Sequence, residues 1–421
     1  MKILFVSQHY RPEPCDTRTS QLAAGLARRG YKSAVLTSFP NYPFGKVYEG
    51  YRQSLRKMEK IDGVDVVRVP MFPDHSRSKK RRALSYLSFG ISASFLGMLF
   101  TRKPDLIWIH HPPLTTGIAG YLLAKLKRVP YVYEIHDLWP ETLMSTGMIG
   151  EGRVTKAIRK VCHWLHQRAA AIIVTSPGMK DHLASQGIQA DKISVIPQWA
   201  DEASFAVVDK NKDFALDQGL SVSRNVVFAG NLGIAQGLDT ILDAAKLLKD
   251  LPDFQMVLIG DGVDGERIKE RCRTESINNV RFLGQMPATE VSKAMAWAEG
   301  AIIHLNQDPL FSITIPSKTQ AYLACGIPIL CGVEGDAAKV VEDARAGFCF
   351  TPECPEEMAA AIRRLLECTP AERDQLSANA LTAFRAHFSK ETLLNEYEQL
   401  FANLTGRETV RLELAAERKA A

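Results

Sequence analysis

A cluster of ionisable side chains ends the stretch YVYEIHDLWPE, residues 131–141. Apolar residues open it as a buried strand would, and Glu134, His136, Asp137 and Glu141 then surround a Trp-Pro pair. A strand end gains no stability from so many titratable groups, whereas such groups gather at functional sites. Alternate side chains of a strand share a face, so Glu134 is expected on the same side as His136. We predict a functional site here, with a core histidine at a strand end as the alternative.

A glycine-rich turn, GNLGIAQGLDT at residues 230–240, also follows a strand-like run and opens a helix. Gly230, Gly233 and Gly237 would allow close approach to the backbone. A helix N-terminus offers free N–H groups and the positive end of a dipole, which suit a phosphate. The turn is neither GxGxxG nor a Walker loop, so a plain strand–helix turn is the alternative.

A lysine lies at a predicted helix start in SITIPSKTQAYLACG, residues 312–326. Pro316 suits a first helical turn, and Thr314, Ser317 and Lys318 cluster beside it. A cation there opposes the helix dipole by roughly 0.3–1 kcal/mol, and a structural cap would be Asp or Glu. Lys318 is therefore predicted to face an anion, with a solvated lysine as the alternative.

Strands and helices must position these stretches. Strand-like and helix-like segments alternate along the sequence, in two successive halves. Strand-like runs at 64–69, 105–109 and 171–175 belong to the first half, and a second start follows at 225–233. This alternation predicts α/β domains with parallel sheets, in which ligands bind beyond the carboxyl ends of the strands. A chain of 421 residues is too long for one core. The predicted division is a domain at 1–200, a linker at 201–224, a domain at 225–388, a helix at 389–405 and a charged tail at 406–421.

Composition is that of an ordinary soluble globular protein, with 46% hydrophobic and 24% charged residues. A formal charge of +5 is small for this length and gives no reason to expect a nucleic-acid partner. The eight cysteines form no CxxC pair and no zinc-ligand pattern, which favours reduced thiols in the cytoplasm. The N-terminal apolar run is too short for a signal peptide. We therefore expect a cytoplasmic protein.

Eight sequence pieces, in order, resemble the retaining glycosyltransferases of family 4, which have the GT-B fold. They are KILFVSQHYRPEP, YVYEIHDLWPE, VTSPGMKDHL, ISVIPQWAD, AGNLG, LIGDG, NVRFLG and IPSKTQAYLACGIPIL, and the resemblance covers roughly residues 1–400. FPNYPFGKVYEGY at 39–51 further resembles the WbuB-type branch. Members of that branch add N-acetylated deoxyhexosamines, such as L-fucosamine, to bacterial surface polysaccharides, O-antigen among them.

The resemblance implies an α/β fold of two facing Rossmann-like domains with an interdomain cleft. Residues 1–200 would bind the acceptor, and residues 225–388 would bind a UDP-sugar, which is the donor substrate, with no cofactor. The catalytic residue would be His136, a neutral imidazole that both donates and accepts hydrogen bonds to the sugar.

The resemblance also assigns binding residues. The donor diphosphate and sugar would contact Asn231, Gly233, Gln236, Gly237, Thr314, Ser317, Lys318 and Arg18. The nucleotide base would contact Gly260, Gly262, Phe282, Leu283 and Gly284. The saccharide acceptor, lipid-diphosphate-linked, would contact Asp16, Trp139 and Glu141.

Departures from the family leave the diphosphate short of cations. Asn231 and Gln236 stand where many members have an Arg and a Lys, and the family's pair of glutamates is absent. A charge-assisted hydrogen bond contributes roughly 1.5–3 kcal/mol, so this deficit is substantial. The predicted replacements are Lys318, Arg18 and the helix N-terminus after the glycine turn.

The sequence also has no DxD triplet, which other glycosyltransferases use to hold a divalent metal. A metal-independent mechanism is therefore expected, with protein donors stabilising the leaving UDP. Two alternatives stay open, a UDP-sugar epimerase of similar fold and a non-catalytic nucleotide-sugar-binding partner in a polysaccharide assembly complex. Turnover without an acceptor would identify the epimerase.

One further segment, residues 77–103, combines basic and apolar residues. The basic cluster is Lys79, Lys80, Arg81 and Arg82, the uncharged stretch is 83–100, and Arg102 and Lys103 follow. The stretch is at the lower limit for a membrane-spanning helix. A stripe at helical spacing, formed by Leu84, Leu87, Ile91, Phe95 and Met98, favours a helix buried in the first domain. The basic cluster instead predicts peripheral contact with the anionic inner face of the cytoplasmic membrane, where a lipid-linked acceptor would lie.

Overall fold

A computed structural model describes residues 1–14, 18–76, 78–145, 147–221 and 223–407 of the protein. Contacts divide the chain into two units. The first comprises Met1–Thr175, Met179–Ile196 and the described residues from Leu394, and the second comprises Ser176–Gly178 and Pro197–Leu393. Most of the predicted C-terminal helix thus belongs to the first unit, and the predicted linker 201–224 contains a short helix, Lys212–Gln218.

The first unit is built on an eight-stranded sheet of order β3-β4-β2-β1-β5-β6-β7-β8. Its strands are β1 Lys2–Val6, β2 Lys32–Ser38, β3 Lys57–Ile61, β4 Val64–Val69, β5 Leu106–His111, β6 Tyr131–Ile135, β7 Ala171–Val174 and β8 Ile193–Val195. The helices of this half are α1 Arg18–Arg28, α2 Lys79–Phe100, α3 Leu114–Lys127, α4 Glu141–Ser145, α5 Arg153–Arg168 and α6 Pro177–Ser185. All pairings are parallel except β3 with β4. Runs such as KILFV and AIIV are nearly wholly buried because helices cover the sheet.

The second unit has a six-stranded parallel sheet of order β11-β10-β9-β12-β13-β14. Its strands are β9 Arg224–Ala229, β10 Phe254–Ile259, β11 Val280–Gly284, β12 Ala298–His304, β13 Ile329–Gly332 and β14 Gly347–Cys349. The helices of this half are α7 Lys212–Gln218, α8 Leu238–Leu247, α9 Gly265–Thr274, α10 Ala288–Met295, α11 Pro309–Ser312, α12 Ser317–Ala324, α13 Asp336–Ala344, α14 Pro355–Glu367 and α15 Pro370–Ala383. The last helix, α16 Lys390–Thr405, belongs to the first unit from Leu394 onward. The predicted fold class, two Rossmann-like α/β domains, is confirmed.

Helix α2 packs in the opposite sense to the sequence prediction. The stripe predicted to be buried is exposed: Leu84 is 50%, Leu87 54%, Ile91 60%, Phe95 65% and Met98 40% exposed. The buried side of α2 instead consists of Ser85, Phe89, Ala93 and Gly97. A Cβ on Gly97 would lie 2.5 Å from Leu36 Cδ2 on β2, so the small residues let α2 approach the sheet closely. The prediction was wrong because periodicity shows which residues share a face, not which face is covered.

Two neutral histidines lie in the core of the first unit. The Tyr133 hydroxyl is 2.9 Å from Nδ1 of His111, and the Tyr133 ring centroid is 5.5 Å from that of His166. Burial lowers the pKa of His111 and that of His166 to about 3 in each case. Both imidazoles are therefore uncharged in the folded protein at neutral pH, as a site packed inside the sheet requires.

We expect acid to weaken the first unit through these histidines. Unfolded histidines have a pKa of about 6.5, so below that pH the unfolded chain binds more protons than the folded one. The free energy of unfolding should therefore fall as pH falls, by up to about 1.4 kcal/mol per pH unit and histidine. Urea unfolding between about pH 7.5 and about pH 5 measures this slope. His166→Gln should make this slope shallower, and a slope equal to that of the wild type would contradict the assignment.

Candidate active site

A buried carboxylate, Glu134, organises the predicted site in the first unit. Its oxygens accept hydrogen bonds from Arg18 Nε at 2.9 Å, Trp108 Nε1 at 2.8 Å and the Tyr397 hydroxyl at 2.6 Å. Burial by itself would raise the pKa of Glu134, but the Arg18 guanidinium and the hydrogen-bond donors outweigh it and hold that pKa below its ordinary value. Glu134 is therefore a permanent anion at the end of β6.

His136 stands against this anion, as its position two residues after Glu134 predicted. Its Nε2 lies 3.0 Å from Glu134 Oε1, so the expectation that both side chains share one face is confirmed. The imidazole ring lies over that of His110, with ring centroids 4.6 Å apart, and its backbone N–H donates to His111 O at 3.0 Å. With 10% of its side chain exposed, His136 is nearly buried, and Glu134 and His110 fix the orientation of its ring.

Arg18 lies in a buried ion pair with Glu134. Its Nε donates to Glu134, and one terminal nitrogen donates to the Tyr397 hydroxyl at 2.6 Å. Arg18 is thus the counter-ion that keeps Glu134 charged beside His136. Its predicted contact with the donor diphosphate stays a prediction.

The predicted acceptor residues lie on the chain after β6. The Trp139 ring meets that of His111 edge-on, with centroids 5.3 Å apart, and Glu141 begins α4 and lies 3.4 Å from Arg159 Nε. Asp16, the third predicted acceptor residue, lies outside the described residues.

A second buried carboxylate, Glu13, connects two loops of the first unit through hydrogen bonds. It was not predicted from the sequence. Glu13 accepts hydrogen bonds from the N–H groups of Asn41 at 2.6 Å and Tyr42 at 2.7 Å, and lies 3.1 Å from His9 Nδ1. It joins the loop after β1 to the loop after β2, the two segments whose RPEP and FPNYPFG motifs carry the family resemblance. Their proline content was the available signal for a fixed loop pair.

In the second unit, the glycine turns after β9 and β10 enclose a cavity of about 520 Å³. Its lining includes Gly230, Asn231, Gly260, Asp261, Gly262 and Met286. Gly260 has a φ of +134°, and a Cβ there would lie 1.8 Å from Gly230 O, so a larger residue would push the two turns apart. Of the residues predicted to bind the nucleotide, Asn231, Gly260 and Gly262 line this cavity.

The other predicted donor residues lie around the cavity on neighbouring segments. Gly233 precedes a 3₁₀ turn, Ile234–Gln236, and Gly237 caps the start of α8 in the left-handed conformation. Gly284 O, at the end of β11, accepts a hydrogen bond from Gly260 N at 2.7 Å. The neighbouring side chains of β11 pack partly buried against the two hydrophobic clusters of the unit, Phe282 against one and Leu283 against the other.

Lys318 reaches from α12 to the glycine turn after β9. Its Nζ is 2.5 Å from Gln236 Oε1 and 3.5 Å from the ring centroid of Phe228. A Cβ on Gly230 would lie 2.6 Å from Lys318 Cε, so this glycine makes room for the lysine stem. Burial lowers the pKa of Lys318 to about 7. The lysine thus places its charge at the side chain of Gln236, the position where many resembling transferases have a lysine of their own.

The residues beside Lys318 differ in exposure. Ser317 is exposed at the first position of α12, and the Thr314 hydroxyl donates to Phe311 O at 3.1 Å. The structure thus brings Lys318 to the glycine turn, while Thr314 and Ser317 lie at the entrance of its helix.

Two further residues, His304 and Tyr322, form hydrogen bonds to the backbone at the glycine turn, and neither was predicted from the sequence. His304 Nδ1 lies 2.8 Å from Gln236 O, and Glu353 N donates to its Nε2 at 3.1 Å, which fixes the Nδ1–H tautomer. The Tyr322 hydroxyl bonds to both backbone groups of Ala229, at 3.0 Å and 3.2 Å. The sequence could have indicated them only by position, since His304 ends β12 and Tyr322 lies on the buried side of α12.

Among the described residues, no group of three or more His, Cys, Asp or Glu side chains is arranged to hold a metal ion. The side chains described at the two sites are hydrogen-bond donors, the buried Glu134 anion and the partly buried Lys318.

Family comparisons cover both units. The glycosyl transferase 4-like domain family matches residues 15–199, and the glycosyl transferases group 1 family matches residues 220–382. WcaI of Escherichia coli (strain K12), named as a colanic acid biosynthesis glycosyl transferase, is 27% identical over 380 residues, 87% of this chain and 92% of WcaI. WbjE of Pseudomonas aeruginosa, named as a glycosyltransferase, is 24% identical over 302 residues, 69% of this chain and 73% of WbjE.

Solved structures with the same fold include a sucrose-phosphate synthase and a protein in complex with UDP-glucose. Sucrose-phosphate synthase from Thermosynechococcus elongatus has a TM-score of 0.73 at 18% identity, covering 96% of this chain and 99% of that one. Anabaena HepE in complex with UDP-glucose has a TM-score of 0.69 at 18% identity, covering 96% of this chain and 100% of that one. The two matched domain families together cover most of the chain and both units are Rossmann-like, so the protein is a glycosyltransferase with the GT-B fold.

Proposed function

We propose that this glycosyltransferase is a retaining enzyme that moves an N-acetylated hexosamine or deoxyhexosamine from UDP to a lipid-linked saccharide in bacterial surface polysaccharide synthesis. The observation that carries the proposal is Lys318. In the described part of the chain its charged end contacts a neutral amide and an aromatic ring. A diphosphate bound at the glycine turn would give this lysine the anion it lacks.

The relatives support the class of reaction. WcaI is named for colanic acid biosynthesis, which is consistent with a surface polysaccharide, and HepE is described in complex with UDP and with UDP-glucose. The choice of an N-acetylated deoxyhexosamine rests on the resemblance of FPNYPFGKVYEGY and its companion motifs to the WbuB-type branch.

In the proposed reaction, the anomeric C–O bond to UDP breaks and a C–O bond to the acceptor forms on the same face of the sugar. The acceptor hydroxyl passes its proton to the departing phosphate oxygen. Lys318, Asn231 and the N–H groups at the start of α8 stabilise the charge that develops on UDP, without a metal ion. His136 positions the sugar through hydrogen bonds, because Glu134 fixes its ring orientation.

The remaining assignments follow the same scheme. Backbone groups at Gly260, Gly262 and Gly284 bind the base, and Trp139 and Glu141 contact the acceptor. We place the enzyme at the cytoplasmic face of the membrane, where its acceptor lies.

Product analysis tests the proposed reaction. A panel of UDP-sugars is incubated with a lipid-diphosphate saccharide acceptor, and mass spectrometry and proton NMR identify the product and its anomeric configuration. We expect an acceptor-dependent product of retained configuration that also forms in EDTA. Formation of an isomerised sugar without acceptor would indicate the epimerase. UDP binding without any turnover would indicate the non-catalytic binding partner. Loss of activity in the presence of a chelator would indicate a metal-dependent mechanism.

Lys318→Met should weaken UDP binding by roughly 10- to 100-fold, the loss of one charge-assisted hydrogen bond, about 1–3 kcal/mol. Since the pKa of Lys318 in the free protein is about 7, the lysine is mostly neutral at about pH 8, where UDP is already fully ionised. A bound diphosphate favours the charged form, so wild-type binding should take up close to one proton. Calorimetry in buffers of different ionisation enthalpy measures this uptake.

The matched control is Lys249→Met, an exposed lysine in the same unit. It should leave both affinity and proton uptake unchanged. Equal UDP affinity in wild type and Lys318→Met would refute the assignment of Lys318.

His136→Ala should lower the rate of transfer by roughly 100- to 1,000-fold, typical of losing one hydrogen-bond donor to the reacting group. UDP alone should bind as before, because the histidine is proposed to contact the sugar and not the nucleotide. The fold should persist, since Glu134 keeps Arg18, Trp108 and Tyr397. His163→Ala is the control, and near-normal turnover in His136→Ala would return His136 to a purely structural role.

A further inference from the structure

An apolar face on the first unit is open to solvent. Helices α2 and α3 run side by side, since Gly90 packs on Thr115, Gly97 on Leu123, and Lys127 Nζ reaches Thr101 O at 2.7 Å. The apolar face consists of Leu87 (54% exposed), Ile91 (60%) and Phe95 (65%) on α2 and Ile118 (38%), Leu122 (37%) and Leu126 (58%) on α3. Between the two helices these residues line a groove of about 430 Å³. Exposed apolar surface of this continuity marks an interaction site.

Helix α2 is fixed to its own unit along its opposite side. Lys79–Phe100 is long and apolar enough, by length and composition, to cross a membrane. However, Phe89, Ala93 and Gly97 are buried, and Gly97 lies against Leu36 of the sheet. A spanning helix would have to leave the sheet and expose that core. The geometry therefore favours a helix that lies in the plane of a membrane surface.

Positive charge surrounds the apolar face at both ends. Lys79, Lys80, Arg81 and Arg82 begin α2, Arg102 and Lys103 follow it, and Lys125, Lys127 and Arg128 end α3. Neither helix sequence contains an Asp or a Glu. A cavity of about 450 Å³ at the C-terminal end of α3 is lined in part by Lys125, Arg128 and Arg168, a set of cations that suits a phospholipid headgroup.

We propose that the apolar face inserts into the headgroup and acyl boundary of an anionic phospholipid leaflet, with the basic residues at its two ends bound to headgroups. The pattern matches interfacial anchors, in which an apolar surface and flanking cations act together. A twofold dimer through this face would bring basic ends against basic ends, and the like charges would repel. An anionic membrane surface satisfies both features at once.

This inference rests on the proposed function, because docking at a membrane is useful to the enzyme only if its acceptor is lipid-linked. The enzyme would hold its first unit at the surface from which the acceptor head projects. Basic residues alone would give contact that salt abolishes, whereas an inserted apolar face retains part of its affinity at high salt.

Vesicle flotation tests the proposal with the full-length protein. The probes are phosphatidylcholine vesicles with and without phosphatidylglycerol, at low and high salt. We expect wild type to float with the anionic vesicles. Replacing Lys79, Lys80 and Arg82 by Gln should weaken low-salt binding on the order of a hundredfold, since each contributes about 1 kcal/mol, or about fivefold. Arg81 is left unchanged because it is paired with Asp74. The double variant Ile91→Gln and Phe95→Gln should lose the salt-resistant part of the binding.

Two controls make the result specific. Leu55→Gln with Val154→Gln alters equally exposed apolar residues of the first unit, at 69% and 66% exposure, and should bind vesicles like wild type. Phe95→Trp should be quenched by lipids brominated on their acyl chains, and Val154→Trp should not. UDP affinity, measured on each variant, should be unchanged, so that failure of docking and failure of the proposed reaction are distinguished.

Several outcomes would overturn the proposal. They are absence of wild-type binding, unchanged binding by the Ile91→Gln and Phe95→Gln variant, and resistance to carbonate washing, which would indicate a spanning helix. A wild-type dimer in sedimentation that the double variant abolishes, with no vesicle binding, would assign the face to a second copy of the chain.

Discussion

The first unit depends on one constraint: the Glu134 carboxylate is fully buried, and a buried anion must be paired and hydrogen-bonded. Its donors come from α1, β5 and α16, through Arg18, Trp108 and Tyr397. Removing one partner of such a pair typically costs about 3–5 kcal/mol, so these elements must come together for the unit to be stable. This requirement explains why the C-terminal helix returns to the N-terminal half. It also gives His136 a fixed anion to lie against.

The charged side chains of the two sites, Glu134 and Lys318, differ in how far the protein itself pairs their charge. Glu134 has a cation and several donors within the fold, so its charge is a structural property. Lys318 has a neutral amide and an aromatic ring, and burial lowers its pKa to about 7. A protein that binds an anionic ligand must leave one group of the opposite charge incompletely neutralised, because a paired cation would first have to break its existing bond. The surroundings of Lys318 therefore agree with the anion proposed for it, whereas the charge of Arg18 is already paired with Glu134.

Local signals in the sequence were sufficient for the strands and for the residues beside them. The run Tyr131–Ile135 and the alternation that places Glu134 with His136 follow from the two-residue period of a strand. The donors to Glu134 were not predictable in this way, since Trp108 is 26 and Tyr397 is 263 residues distant. The charge of Arg18 was visible in the sequence, but its pairing with Glu134, 116 residues away, was not. Pairing between distant segments leaves no periodic trace in one sequence.

The packing of α2 shows why a correct helix can still be oriented wrongly. Large apolar residues are usually taken to mark the core side, yet here the small residues Ala93 and Gly97 meet the sheet and the large ones face outward. In water alone that arrangement loses the transfer free energy of several large side chains, about 25 cal/mol for each Å² left exposed. The loss is avoided if another apolar phase covers them. If the proposed leaflet covers this face, the exposed large residues and the buried small ones have one explanation: α2 contacts its own sheet on one side and lipid on the other.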